Sequence, residues 1–459
     1  MNEIKQNIYR AIYEADAENK QKISALTDRV SLKSYAHLTY ECEHGTVWTR
    51  ALQQALYEHE IVEIDSARTP YYIDDTVIIP SGRRIEAWRA VLCLTPECRV
   101  IMFRNEHTLD GTHAPIDESL SDSNISISGG CFAESQTVRK GYGKSGRYSA
   151  SDDGFFGVST CMFFDNVENL TLENVTFRNT AGFAVQIGNA KKVSFNNVWF
   201  DKCFADGLHI NGNSEYILAR HIYGEVGDDL VALNAYDWLN SSVNFGPIRY
   251  VLCEGLNLAP MSGYKALRFE AGIYTYENGD TVDCALENII VKNVVGIKTY
   301  KMYLQTMPYA IGEEPDKGST GSMNDIFFEN LHIDLHSPID SFPEYVSGDT
   351  VRGTFAAFEL GANIGTMEFE NIDFIRHGDL YPHSKLLCIG PKSIVINGKE
   401  IFDPHISSTA EKLIFKNITV NGKKCEDIRP FVKEIVFDNV NNDGRSTARG
   451  KVIDLILQN

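Results

Sequence analysis

The amino-acid sequence lacks the features that place a protein on nucleic acid or in a membrane. No stretch approaches the roughly 20 consecutive apolar residues of a transmembrane helix. Basic residues are scarce: 43 Lys and Arg against 62 Asp and Glu give a formal net charge of −19. Because nucleic acids and anionic membrane surfaces need a basic footprint, we expect neither as a partner.

The sequence also has little that is typical of a disulfide-bonded, secreted protein. Its ten cysteines are scattered, and only Cys93 and Cys98 lie close together. This pattern predicts buried, reduced thiols rather than disulfides or a metal site. The first residues, MNEIKQNIYRAIYEADAENK, are acidic where a signal peptide has its apolar core, so we expect a cytoplasmic protein.

A short repeat with an asparagine is abundant in the sequence. Its form is apolar-x-aromatic-x-Asn-apolar, as in NLTLENVTF and KVSFNNVWF. Asparagines at one position of stacked coils form ladders in which each side-chain amide bonds its neighbour and the backbone is left-handed. His221 and Gly255 replace asparagine in two coils. The repeat asparagines are Asn174, Asn197, Asn293, Asn330, Asn371, Asn417 and Asn439.

The repeat spacing predicts a solenoid. Steps of 23 and 24 residues, lengthening later, favour an all-β, single-stranded right-handed parallel β-helix with three short strands per coil. Helical spacing at 4–22 and 46–59 predicts two N-terminal helices, the second capping the first coil. We therefore expect a helical cap at residues 1–60 and one β-helix domain at 61–459.

Three aspartates occur at the coil spacing. Asp206 and Asp229 are 23 residues apart (229 − 206), within the similar segments ADGLHI and DDLVAL, and Asp228 lies beside Asp229. Residues one coil apart stack at about 4.8 Å. Carboxylates this close cannot all be charged cheaply, which favours the retention of one proton for acid catalysis beside a base.

These motifs resemble those of the polygalacturonase family of glycoside hydrolases. Phe204-Ala205-Asp206-Gly207 is similar to the family's Asn-Thr-Asp-Gly, and Gly227-Asp228-Asp229 to its Asp-Asp one coil later. The resemblance covers roughly residues 46–305. It departs from the pattern at Lys265, where the family has histidine, and at Lys301 and Tyr303, where it has Arg-x-Lys.

The resemblance implies an inverting glycoside hydrolase that cleaves oligosaccharides, including uronic-acid-containing ones as in pectin degradation. Exo action is expected from the cytoplasmic location, since intact polymers do not enter cells. Asp228 would be the general acid, and Asp206 and Asp229 would hold and deprotonate the attacking water. Inversion requires an acid and a base about 6.5–9.5 Å apart. This interpretation needs no cofactor and no metal.

Strand alternation adds candidate substrate-binding residues. His209 points outward beside Asp206, with Gln186 one coil before it and Ala232 and then Arg268 after it. His209, Lys265, Arg268 and Lys301 would face a cleft and meet sugar carboxylates or hydroxyls, although Arg268 can instead pair with Glu270. Trp238 can stack on a sugar or anchor its loop.

Other interpretations remain open. On the same scaffold, a polysaccharide lyase would use the aspartates to bind Ca²⁺ and a Lys or Arg as base. A β-helical carbohydrate-binding protein without catalysis is a third hypothesis. A homo-oligomer is compatible with the sequence, and the basic run 139–147 is either a solvated loop, a wall of the cleft or a contact with another subunit.

Overall fold

The computed structural model describes most of the chain. The described ranges are 3–108, 121–139, 160–237, 241–262, 266–297, 302–306, 320–335, 356–390, 393–396, 399–402, 408–441 and 444–458. Within them no helix is long and apolar enough to span a membrane. All ten cysteines fall inside these ranges and are free thiols, six of them buried, as predicted.

The described helices lie mainly near the N-terminus. The α-helices are α1 (Glu3–Ser24) and α2 (Thr49–Glu58), and short 3-10 helices cover Leu32–Leu38 and Arg429–Phe431. Both α-helices occur where helical spacing predicts them.

The rest of the described chain is mostly β-strand. The first eleven strands are β1 (Arg29–Ser31), β2 (Tyr40–Cys42), β3 (Gly45–Val47), β4 (Ile61–Glu63), β5 (Tyr71–Ile73), β6 (Val77–Ile79), β7 (Arg83–Glu86), β8 (Val91–Leu94), β9 (Phe103–Asn105), β10 (Asp122–Ser128) and β11 (Cys131–Ala133). The next eleven are β12 (Thr160–Arg178), β13 (Phe183–Cys203), β14 (Leu208–Asn211), β15 (Ser214–Val226), β16 (Val231–Asn234), β17 (Ile248–Leu258), β18 (Leu267–Thr275), β19 (Thr281–Cys284), β20 (Leu286–Ile297), β21 (Met302–Thr306) and β22 (Ser322–Leu335). The last ten are β23 (Ala356–Gly361), β24 (Asn363–Arg376), β25 (Lys385–Ile389), β26 (Ser393–Ile396), β27 (Lys399–Phe402), β28 (Ser408–Val420), β29 (Lys423–Lys424), β30 (Val432–Glu434), β31 (Val436–Asn441) and β32 (Gly444–Gln458).

Successive coils pair in parallel register, which makes the fold a parallel β-solenoid. One stack, here called the site column, runs through β6, β9, the first parts of β12 and β13, then β14, β16, β18, β21, β23, β25 and β30. A second stack joins β15, β17, β20, β22, β24, β28 and β32. The right-handed sense of the coil stays a prediction.

The expectation of three short strands in every coil is not confirmed. The early coils do contain separate short strands, such as β7, β8 and β9. In the central coils, however, one short strand alternates with a long one, as β14 does with the 13-residue β15. The long strands continue through a corner because a single left-handed residue, for example His221 at φ 54°, turns the chain without ending the parallel pairing.

The asparagine ladder is confirmed at this corner. Asn197 donates to Asn174 over 2.7 Å, and the chain of amide bonds resumes from Asn293 through Asn330 and Asn371. Asn417 extends it with a 2.7 Å bond to Asn371. These asparagines have φ of 50–58°, the left-handed region that asparagine tolerates. The amide bonds and the backbone conformation together explain the repeat.

Asn439 does not follow this pattern. It lies in β31, which pairs antiparallel with β32 as a hairpin rather than stacking on the preceding coil. The ladder prediction is therefore wrong for this last repeat, because β32 rather than β31 pairs in parallel with β28.

The two α-helices pack differently. Leu52, Ala55 and Leu56 of α2 are buried in the main core with the first coils, while α1 lies along the outer side of the solenoid. There Ile8 and Ile12 cover an apolar stripe of outward-facing residues. The stripe consists of Leu218, Leu252, Ile290 and Phe327.

Candidate active site

The three aspartates converge at one corner of the solenoid. Asp206 lies just before β14, and Asp228 and Asp229 lie just before β16, the next strand of the site column. The Gly207 amide donates to the Asp229 carbonyl (2.9 Å), and the Asp229 amide donates to Asp206 Oδ1 (3.2 Å). One carboxylate oxygen from each aspartate lies within 4.8 Å of the others. The predicted stacking is therefore confirmed.

Two glycines allow the coils to approach closely at this corner. A Cβ on Gly207 would lie 2.5 Å from the Phe200 ring and 2.7 Å from the Leu230 carbonyl oxygen. A Cβ on Gly227 would lie 2.4 Å from the Phe204 carbonyl oxygen. Since no side chain fits at these distances, each glycine next to an aspartate is required by packing.

His209 holds Asp206 from the side. It is 1% exposed, and its Nδ1 lies 2.6 Å from Asp206 Oδ2. Its Nε2 faces Asp237 Oδ2 at 3.4 Å and the Ser241 carbonyl oxygen at 3.2 Å. Burial would lower the pKa of His209, but the hydrogen bonds that the ring donates to Asp206 and Asp237 raise it to about 9. The imidazole is therefore protonated at neutral pH.

Arg268 balances a second group of acids. Its Nη2 donates to Glu270 Oε1 over 2.8 Å and lies 3.6 Å from Asp237, and its Nη1 lies 3.7 Å from Asp229. Burial would lower the pKa of Arg268, but the surrounding carboxylates, led by Glu270 and Asp237, hold it well above its ordinary value. The anticipated pairing of Arg268 with Glu270 is confirmed.

Asp228 faces outward more than the other two aspartates. Its side chain is 12% exposed, whereas those of Asp206 and Asp229 are 2% and 0% exposed. The guanidinium of Arg139, itself 43% exposed, donates from Nη1 to Asp228 Oδ2 over 2.6 Å. Asp228 and Arg139 thus form the solvent-facing side of the described site.

The predicted outward row of the site column is confirmed in register. Gln186 pairs with His209, His209 with Ala232, and Ala232 with Arg268. Gln186 is fully buried and donates to Asn211 Oδ1 and to the Ser241 carbonyl, so it fixes the segment after β16 to the column. Of the other predicted binding residues, Lys265, Lys301 and Trp238 lie outside the described residues.

Two residues of the site did not emerge from the sequence as site residues. Asp237 lies in the loop after β16, only three residues from Asn234, which donates to it over 2.9 Å. Arg139 belongs to the basic run 139–147, for which a wall of the cleft is one of three interpretations. Both reach the site from loops, whose paths the coil period does not fix. The position of Asp237, three residues after the end of β16, was the signal in the sequence that could have placed it near the site.

The arrangement has the parts of an acid–base site. A partly exposed carboxylate lies beside two buried ones, and cationic side chains contact all three. Burying several charges costs several kcal/mol per ion unless they are paired. This site pairs them with His209, Arg139 and Arg268. Carboxylates in such a cluster can divide acid and base roles, as general acid–base catalysis requires.

The fold and the site together define a parallel β-solenoid with a buried carboxylate cluster. No protein-family model and no curated protein sequence matches the chain. Solved structures similar to it include the family 28 exopolygalacturonase of Yersinia enterocolitica, with 14% identity over 94% of this chain and 78% of that one, at a TM-score of 0.48.

Two further solved structures are similar to the chain. The exopolygalacturonase of Thermotoga maritima shares 10% identity over 89% of this chain and 97% of that one, at a TM-score of 0.47. PfbA, a surface adhesin of Streptococcus pneumoniae, shares 13% identity over 94% of this chain and 92% of that one, at a TM-score of 0.43. These likenesses do not decide between an enzyme and an adhesin.

Proposed function

We propose that the protein is a glycoside hydrolase with Asp206, Asp228 and Asp229 as its catalytic residues. The observation that carries the proposal is the convergence of three carboxylates within 4.8 Å, one of them partly exposed and two buried. A structural role does not require three like charges at one corner, because stacked aspartates repel one another.

The proposed reaction uses the outer carboxylate as the acid. Protonated Asp228 donates its proton to the glycosidic oxygen as the bond from that oxygen to the anomeric carbon breaks. A water molecule held by Asp206 and Asp229 attacks the anomeric carbon and gives a proton to one of these carboxylates. The products are two saturated sugars, and the sum of the steps is the addition of one water. Arg139 must leave Asp228 before this carboxyl group can act.

The stereochemical part of the proposal rests on the family resemblance. The nearest carboxylate oxygens lie within 4.8 Å, which is shorter than the 6.5–9.5 Å usual for inverting enzymes and close to the roughly 5–5.5 Å of retaining ones. Inversion therefore requires a water held between two carboxylates of the same cluster. A retained configuration would instead make one of the aspartates a nucleophile.

The proposed substrate is an oligosaccharide cut from its chain end, inside the cell. A cytoplasmic enzyme meets oligosaccharides rather than intact polymers, which supports exo action. The exposed guanidinium of Arg139 is a described cation beside the acid that could bind a uronate carboxylate. A substrate with a uronate at its chain end would be similar to the substrates of the exopolygalacturonases.

A calcium-dependent lyase is the second candidate, because the same three carboxylates are arranged as metal ligands could be. Two observations favour the hydrolase. His209 occupies Asp206 Oδ2 at 2.6 Å, and Arg139 occupies Asp228 Oδ2 at 2.6 Å. A cation bound by all three aspartates would have to displace or approach these two positive side chains.

The test is incubation of the protein with neutral and uronic-acid oligosaccharides, with and without a calcium chelator. Mass spectrometry identifies the products and proton NMR follows the anomeric signal. Saturated products that form despite chelator and are absent with Asp228→Asn support the hydrolase. Unsaturated, chelator-sensitive products would support the lyase. Binding without turnover by the wild-type protein would overturn both in favour of a carbohydrate-binding protein.

A further inference from the structure

His209 lies between two carboxylates that come from different coils of the site. Asp206 precedes the strand that carries His209, and Asp237 follows the next strand of the column. The Nδ1 atom faces Asp206 at 2.6 Å, and the Nε2 atom faces Asp237 at 3.4 Å. The imidazole therefore links one proposed catalytic carboxylate to a carboxylate that the proposed reaction does not use.

The surroundings leave His209 little freedom to move. Its ring stacks on that of Phe183, with centroids 3.9 Å apart and planes 10° apart. The Asn211 amide and the Ser241 carbonyl lie 3.4 and 3.2 Å from Nε2. With 1% exposure, the side chain offers almost no surface to a sugar. These contacts suit a residue that holds another side chain in place.

We propose that His209 and Asp237 form a positioning pair that fixes the Asp206 carboxylate toward the attacking water, and that His209 does not touch the substrate. The role of Asp206 in this proposal rests on the proposed hydrolase function. The contacts of His209 with Asp206 and Asp237 do not depend on that function, so they can be tested without a substrate.

The positive charge of the imidazole is part of the pair. A neutral imidazole carries a single N–H, so one of its nitrogens would present a lone pair to a carboxylate oxygen. The protonated ring donates on both sides. Other groups that face this network are the guanidinium of Arg268, 3.6 Å from Asp237, and the amide of Asn234, 2.9 Å from Asp237. Asp237 thus connects His209 to the second buried cation.

The first experiment measures the charge of His209 directly. The protein is labelled with ¹⁵N only at histidine and studied by NMR. The ring signals of His209 are the ones that disappear in the His209→Gln variant. We expect both nitrogens to stay protonated through pH 8 and to titrate near pH 9. Asp237→Asn should move that midpoint toward the ordinary histidine value. A His209 that titrates near pH 6.5 in the wild type would overturn the proposal, whether or not the protein is an enzyme.

His332 provides the matched control. It also pairs with an aspartate, Asp373, at 2.9 Å, but its side chain is 50% exposed. His332→Gln should leave the His209 signals unchanged. Thermal unfolding of each variant shows whether it is folded, and Asp237→Asn provides a second test if His209→Gln does not fold.

The second experiment uses the best substrate of the oligosaccharide panel. A positioning role predicts that Asp237→Asn lowers kcat by roughly tenfold to a hundredfold and changes KM less than threefold. His209→Gln should lower kcat with the same small change in KM. A large increase in KM with unchanged kcat would make His209 a substrate contact and overturn the proposal.

Discussion

Two acidic clusters of this solenoid differ in how their negative charges are compensated. On the outer side, Glu329, Glu368 and Glu370 surround the ammonium of Lys5, which contacts them at 2.7, 2.5 and 2.9 Å. At the site corner, Asp206, Asp228 and Asp229 lie close together with no single cation at their centre among the described residues.

The difference lies in where the positive charge sits. Lys5 contacts three glutamates at once, and Lys416 adds a 2.6 Å contact to Glu368, so the two cations lie among the carboxylates. In the aspartate cluster, His209, Arg139 and Arg268 each approach a different aspartate from the outside. In the proposed function, a substrate and a water molecule would lie beside these carboxylates. The position of the described cations, rather than the number of acids, is what distinguishes the two clusters.

Removal of the proposed acid should give the largest effect. Asp228→Asn cannot donate the required proton, so activity should fall by about 10²- to 10⁴-fold with little change in the unfolding temperature. Turnover of the best panel substrate measures this. The matched change in the other cluster, Glu370→Gln, should leave turnover unchanged. An equal loss of turnover in Asp228→Asn and Glu370→Gln would contradict the proposal that only the aspartate cluster is catalytic.

Removal of the central cation should give the largest loss of stability. Lys5→Met removes the cation that the three glutamates share and leaves the buried Glu368 with Lys416 as its described cationic partner, which should cost about 3–5 kcal/mol. Burial would lower the pKa of Lys5, but the hydrogen bonds that it donates to the three glutamates raise it above its ordinary value. Denaturant unfolding gives the free energy, and hydrogen exchange should show α1 opening first. An unchanged exchange rate in α1 would mean that Lys5 does not fasten the helix.

The two clusters should also respond differently to alkaline pH. The folded-state pKa of His209 is raised to about 9, so its stabilising contribution is complete below about pH 6.5 and is lost as pH rises through 9. A shift of this size corresponds to a few kcal/mol. Thermal unfolding from pH 6 to 10 should therefore show the gap between wild type and His209→Gln closing. The gap between wild type and Lys5→Met should persist over this range, because Lys5 keeps its charge. A constant gap for His209→Gln would be evidence against a buried imidazolium.

Neutralising one outer glutamate should have the smallest effect. The Glu370 side chain is 36% exposed, and Lys5 would keep its contacts with Glu329 and Glu368. Glu370→Gln should change the free energy of unfolding by less than about 1 kcal/mol. Chemical denaturation of Glu370→Gln and Lys5→Met measures the change in the free energy of unfolding that each variant causes. A loss as large as that of Lys5→Met would show that the cluster depends on all three acids together.

The sequence predicted the features that repeat from coil to coil. The period of 23 placed Asp229 over Asp206, and strand alternation placed His209 and Arg268 in one outward row. The asparagine repeat located a left-handed corner. These predictions succeed because a solenoid converts a sequence period directly into spatial stacking.

The sequence did not predict contacts made by segments outside the coils. Arg139 and Asp237 reach the site from loops, and no period fixes where a loop goes. The position of α1 was missed as well, since a helix at one end was expected as part of a cap. The sequence did contain a signal for this position of α1. In three strands an apolar residue occupies an outward position where the alternation of apolar and polar residues predicts a polar one; these residues are Leu218, Leu252 and Ile290. Such residues need a covering element.

The placement of α1 has a consequence for how the chain folds during synthesis. Asn19 bonds the Leu170 and Lys192 carbonyls, while Lys5 binds glutamates up to residue 370, so the helix spans about five coils. The 14 residues from Lys5 to Asn19 extend about 21 Å, close to the roughly 24 Å of five coil spacings. Lys5 emerges from the ribosome 365 residues before Glu370. At 5–20 residues per second, its docking surface is incomplete for roughly 20–70 s. The Asn19 end of the helix can dock once residue 192 has been made, whereas the Lys5 end completes its contacts only after residue 370. The helix thus links coils that otherwise contact only their neighbours.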